Sequence, residues 1–202
     1  MKVKIELSKK NIIFALLPIL LIIIAGVLYS NFTITGNYVV AHDTELESKF
    51  ATLNSAKTNL CAGSDFINFK DDDDRLQGSC CSAMNLHRYA EQVDGLEKYS
   101  SIDKIPSDPY DIPVSLAKDL LEYQKNIKLT EEQQTIYDEA TKLSHEGGPC
   151  CCKCWRWYAF EGLAKYLITE YNFDAEQIAE IWDLEDGCGG TGHIEGMHDS
   201  AT

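Results

Sequence analysis

Chemistry in this chain is concentrated in one stretch, Gly147-Gly148-Pro149-Cys150-Cys151-Cys152-Lys153-Cys154-Trp155. Half of its eight cysteines lie between positions 150 and 154. Cys150, Cys152 and Cys154 form C-x-C-x-C, and Cys151 with Cys154 forms C-x-x-C. Thiolates ligate soft metals and attack disulfides, so sulfur at this density points to metal binding, disulfide bonding or thiol exchange. If a helix begins at these cysteines, its unpaired N–H groups and dipole favour the thiolate. Adjacent cysteines rarely bond to each other, so partners must come from elsewhere. Cys61, Cys80/Cys81 and Cys188 are the available places. The tail adds Gly187-Cys188-Gly189-Gly190-Thr191-Gly192-His193, whose glycines would let Cys188 and His193 fold back onto an ion.

The candidate metal ligands are therefore Cys150, Cys152 and Cys154, completed from Cys151, Cys80, Cys81, Cys188 and His193. Cysteine with histidine in tetrahedral number suits Zn²⁺, and the C-x-C-x-C array suits Cu(I). A disulfide-stabilised structural or interaction module is the alternative, and thiol–disulfide exchange through Cys151 and Cys154 a third. Eight cysteines admit too many pairings for the connectivity to be deduced. No hydrolase triad, phosphate loop or paired acidic dyad stands out, so the sequence lends no support to hydrolytic catalysis.

The stretch resembles a family of small exported bacterial proteins of unknown function that carry the motif Pro-Cys-Tyr-Cys-Gly-Cys. Pro149, Cys150, Cys152 and Cys154 match it, while Cys151 replaces the tyrosine and Lys153 the glycine. The segments Thr135 to Ser144, Asn172-Phe173-Asp174 and Gln177 to Ile181 are similar in character, which extends the resemblance over about the last third of the chain. The resemblance implies an exported cysteine-motif domain that handles metal.

The elements that position these residues read as helices. Residues 1–10 are lysine-rich and 11–30 almost wholly apolar. A helix through the latter, at about 1.5 Å per residue, nearly crosses a hydrocarbon core of about 30 Å. The expected layout is a cytoplasmic N-terminus, a single-pass anchor in the cell membrane, a spacer at 31–42, an extracytoplasmic helical domain at 43–186 and a tail at 187–202. Leu46, Phe50, Leu53 and Leu60 keep a helical period. Ser79 is read as the cap of a helix that carries Cys80, Cys81, Met84 and His87 on one side. Pro113 precedes a further helix, and Thr130–Gln133 and Asp174–Gln177 have capping-box spacing. Trp155 to Tyr171 is the most strongly helical segment. No useful β-alternation is seen, so the expected fold is all-α, an N-terminal transmembrane helix followed by an exported bundle of about five helices. The net charge of −14 argues against nucleic acid as a partner. Asp71 to Asp74 reads as a solvated loop, because a calcium loop would alternate its carboxylates.

Overall fold

A computed structural model describes residues 44–190. Its contacts divide the chain into two units, Met1–Glu47 and Ser48–Thr202. Of the first, only residues 44–47 are described, and they are helical.

The helix α1 covers 44–55 and is followed by the short α2, Asp65–Asn68. β1 (Arg75–Gln77) and β2 (Asp111–Pro113) pair antiparallel, with Leu76 opposite Ile112, and flank α3 (Leu86–Glu97) in the chain. Four helices complete the order: α4 (Val114–Asn126), α5 (Glu131–Leu143), α6 (Trp155–Glu170) and α7 (Ala175–Leu184).

Local chemistry explains most helix starts. Thr130 and Asp174 each accept from the backbone of the residue three places on, and Gln133 and Gln177 return the bond. Pro113, extended at ψ 137°, hands the chain from β2 to α4. The central element is α6, which buries Trp155, Ala159, Phe160, Leu163 and Leu167 against α4 and α7. α5 packs on α7, where Tyr137 meets Trp182 edge-on at 5.3 Å between ring centroids. The Trp182 indole donates to the Phe160 carbonyl at 3.1 Å, which fixes α7 on α6.

Gly162 sets the separation of α4 and α6. A Cβ there would stand 1.9 Å from the Leu120 carbonyl oxygen, a backbone atom that cannot swing away. Gly162→Ala is expected to push the two helices apart and to cost about 1–3 kcal/mol. An unchanged urea midpoint in that variant would contradict this packing.

The fold differs from the sequence expectation in three respects. It is mostly helical but not all-α, because a two-stranded ribbon joins segments that are each only three residues long. Seven helices stand among the described residues, not about five. Among the described residues no helix is long and apolar enough to cross a membrane. The single-pass, membrane-anchored and extracytoplasmic assignment is therefore not carried forward. Residues 11–30, on which it rested, lie outside the described residues.

The helix expected from Ser79 begins instead at Leu86, capped by the Asn85 side chain, which accepts from the Arg88 N–H at 3.0 Å. Residues 80–83 are drawn off by the chain after α7. Cys80 N–H donates to Gly187 O at 3.2 Å, Ser82 N–H to Cys188 O at 2.9 Å, and Gly190 N–H to Ala83 O at 3.0 Å. Asp71 to Asp74 is an exposed turn, and Asp72 receives Lys118 at 2.6 Å.

Candidate metal centre

All eight cysteines lie among the described residues and converge at one end of α6. Four separate segments bring them there. Cys61 follows α1, Cys80 and Cys81 follow β1, Cys150 to Cys154 lead into α6, and Cys188 follows α7.

Asn59 ties three of these segments together. Its N–H donates to Gln77 O at 3.1 Å and its side-chain amide to Gly78 O at 2.8 Å, while its side-chain oxygen accepts from the Trp155 indole at 3.2 Å. Trp155 N–H also donates to Ala62 O at 2.7 Å, which holds the Cys61 loop to the start of α6. The fourth segment is clamped by α3. Gln92 donates to Leu184 O at 2.9 Å and Asp186 O at 2.7 Å, and Arg88 pairs with Asp186. Asp186 in turn accepts from Cys188 N–H at 3.0 Å. These side chains are buried, so each bond is made where water does not compete.

The sulfurs form one continuous network of free thiols. Cys61 and Cys152 stand 3.0 Å apart, Cys151 and Cys188 3.2 Å, and Cys150 and Cys188 3.4 Å. Cys80 reaches Cys81 at 3.6 Å and Cys188 at 3.8 Å. Three groups have their sulfurs all within 4.8 Å of one another: Cys61/Cys81/Cys152, Cys80/Cys81/Cys188 and Cys150/Cys151/Cys152. Sulfurs sharing a metal at about 2.3 Å lie roughly 3.8 Å apart in tetrahedral geometry and roughly 4.0 Å in trigonal geometry. Each group could thus hold a metal ion.

Of the sequence-derived candidates, Cys80, Cys81, Cys150, Cys151, Cys152 and Cys188 fall in these groups. Cys154 stands beside them, buried with Cys150 and Cys188. His193 lies outside the described residues. Cys61, which the sequence offers as a source of partners but which is not among the candidate metal ligands, joins Cys81 and Cys152. His87 points elsewhere, to Glu91 at 3.3 Å.

The local protonation chemistry differs from the helix-terminus expectation. α6 starts only at Trp155, with Cys154 as its cap, so Cys151 and Cys154 do not share a helical first turn. The contact with Cys150, together with burial, pushes the Cys154 thiol well up, although the Arg156 and Trp157 amides pull the other way. For Cys150 the bond from Cys154 favours the thiolate, but contact with Cys188 and burial outweigh it. Cys188 is likewise raised: the bond from Cys150 favours its thiolate but is outweighed by Cys80, burial and the charge of Asp186. Cys152 is raised by burial and then by Cys61, and Cys81 chiefly by desolvation. Packed thiols cannot all ionise without repelling one another, so in the metal-free protein Cys81, Cys150, Cys152, Cys154 and Cys188 hold their protons.

Stability follows with a definite sign. Folded thiols with raised pKa values stay protonated where unfolded ones, near pH 8.5, begin to ionise. The stabilisation is full below that value and is lost as pH rises through the folded pKa values. Urea midpoints of the reduced, metal-free chain are expected to fall from about pH 8.5 upward. A flat profile over that range would refute the protonated cluster.

Arg156 completes the site. It is fully buried at the first turn of α6, and its guanidinium lies over the Phe160 and Trp155 rings, 4.8 and 5.6 Å from their centroids. It donates to the Glu185 carbonyl and lies 4.0 Å from the Glu185 carboxylate. Burial works against its charge, but Glu185 and then Cys150, Cys80 and Cys188 more than offset it. Burial in turn raises the Glu185 carboxyl far above the carboxylate range, against the pull of Arg156. Room for the guanidinium depends on Gly187, where a Cβ would meet Cζ at 2.6 Å.

A separate groove of about 290 Å³, lined by Leu96, Tyr99, Ile102 and Arg75 among others, contains no cysteine and lies apart from this chemistry. No family model, curated protein or solved structure was found to match this chain.

Proposed function

We propose that this protein binds a soft, thiophilic cation through its cysteine cluster, with Cu(I) favoured over Zn²⁺. The observation that carries the reading is the grouping of sulfurs in threes from four segments of the chain. Thiolate ligands select Cu(I) and Zn²⁺ among the common ions. Zn²⁺ takes four ligands, whereas three sulfurs in a plane are a complete shell for Cu(I). Each ligand thiol gives up its proton to solvent as its sulfur joins the ion, so binding is a proton-for-metal exchange.

The full-length chain should be reduced under anaerobic conditions, loaded with excess Cu(I) or Zn²⁺ and desalted, and its metal and reactive thiols counted. Retained metal with thiols shielded from a thiol reagent is the expected result. Four disulfides after mild oxidation in the presence of the ion, with no metal retained, would sink it.

A second reading rests on the 3.0 Å approach of Cys61 and Cys152, the former exposed. A disulfide-containing partner could take two electrons from that pair, forming one S–S bond here and releasing two thiols there. Metal-free protein in which this pair alone oxidises would favour it.

A further inference from the structure

The three sulfur groups are not separate. Cys81 belongs to both Cys61/Cys81/Cys152 and Cys80/Cys81/Cys188, and Cys152 belongs to both Cys61/Cys81/Cys152 and Cys150/Cys151/Cys152. The groups thus share corners through Cys61/Cys81/Cys152, and Cys188 closes the outer two on each other, 3.4 Å from Cys150 and 3.2 Å from Cys151. We infer that this centre is polynuclear: three Cu(I) ions, one to each group, joined through Cys81 and Cys152 as bridging sulfurs. This rests on the reading above that the sulfurs hold metal, and adds the number of ions and the residues that link them.

Sulfur supply favours sharing. Three independent trigonal sites would need more cysteines than the eight in the chain. A thiolate sulfur has lone pairs enough to bond two soft cations, so a shared corner satisfies two groups at once. The residues at the shared corners suit that role. Cys81 and Cys152 come from different segments, and Cys152 also stands against Cys61 at 3.0 Å. A single four-sulfur site would instead draw a compact set of four together, and the groups here number three each.

Seven thiolates with three monovalent cations leave the cluster net negative, in a site where Cys150, Cys154 and Cys188 are buried. The remaining charge meets Arg156, fully buried behind Gly187 and next in the chain but one to Cys154. Its Nη1 has no hydrogen-bond partner among the described residues. A buried guanidinium with an unfilled donor next to a nest of sulfurs is the counter-charge an anionic cluster needs.

Cu(I) formation of the cluster is a balanced exchange. Seven thiols lose seven protons to solvent, three Cu(I) ions enter, and no electron is transferred. Cys154 remains as a thiol beside Cys150, or as a terminal ligand if a proton more is lost.

The test is a stoichiometry. Reduced full-length chain is titrated anaerobically with Cu(I) against a competing Cu(I) chelator, and the products are read by native mass spectrometry and X-ray absorption. Three retained ions and a metal–metal scattering shell are expected. Cys61→Ser, which removes a terminal sulfur, should lower the count by one. Cys81→Ser or Cys152→Ser, which removes a bridge, should lower it by two. Circular dichroism of each variant checks that it folds, and the wild-type count and scattering shell decide the question if one does not. Fewer than three ions, or no metal–metal shell, overturns the three-ion cluster while leaving a metal-binding protein. No retained copper or zinc overturns both.

Discussion

Arg156→Met is expected to cost the reduced, metal-free fold about 1–3 kcal/mol, because it leaves the buried Glu185 carbonyl without its donor. Both side chains are about 1% exposed, so no water takes the place of the lost partner. The variant also loses the cation lying over Phe160 and Trp155. Arg156→Met combined with Glu185→Leu should recover part of that stability, since it also removes a buried carboxyl whose oxygens have no hydrogen-bond partner among the described residues. Urea unfolding of the single and double variants supplies the comparison. A single variant as stable as wild type would mean that the Glu185 carbonyl finds another donor at little cost. The double variant then isolates the other role of Arg156: with the fold restored, its Cu(I) affinity should still be weaker than wild type. Equal affinity would remove Arg156 from the metal centre.

Metal loading is expected to change stability by a comparable amount and with a marked pH dependence. At free Cu(I) about a thousandfold above the dissociation constant, the folded state gains about 4 kcal/mol. The apparent affinity should fall as pH falls, roughly tenfold per pH unit for each proton displaced. Three thiols to an ion make that roughly a thousandfold per unit for the first ion. The sign follows from the raised thiols: Cys150, Cys152 and Cys188 are protonated at neutrality, so acid competes and base assists. Loaded protein should also lose the alkaline decline expected of the metal-free chain, because its ligand thiols have already given up their protons. Competition titrations between pH 6 and 8 check the slope, and a pH-independent affinity would rule out thiol ligands.

Legibility in the sequence tracked the distance over which each feature is determined. Both capping boxes were legible because Thr130–Gln133 and Asp174–Gln177 close within one turn. The start of α6 at Trp155 was legible from its helical spacing and the preceding cysteine run. The strands were not, because three-residue segments are too short to show alternation. The region after Ser79 was read as helix because its residue types permit one. Backbone bonds to residues 187–190, more than a hundred positions away, decide otherwise. At the site, the clustering of Cys150 to Cys154 announced the chemistry, and the segments able to supply further sulfur were named. The inclusion of Cys61 and the sharing of Cys81 and Cys152 depend on how four loops meet, which no local pattern encodes.

The separation of those loops along the chain orders the events by which the centre is built. Cys150, Cys151 and Cys152 are neighbours in sequence, so their group can form as soon as that stretch has been synthesised. The middle group must close a span of 91 residues between Cys61 and Cys152, and the third one of 108 between Cys80 and Cys188. Closure of such long spans carries an entropic penalty that only the packed helices offset. On the proposed metal-binding role, a growing chain would therefore offer this local group of three sulfurs first. Its full complement of sulfurs is available only once Cys188, beyond the last described helix, has been made and docked, which makes the finished centre a marker of a completed fold.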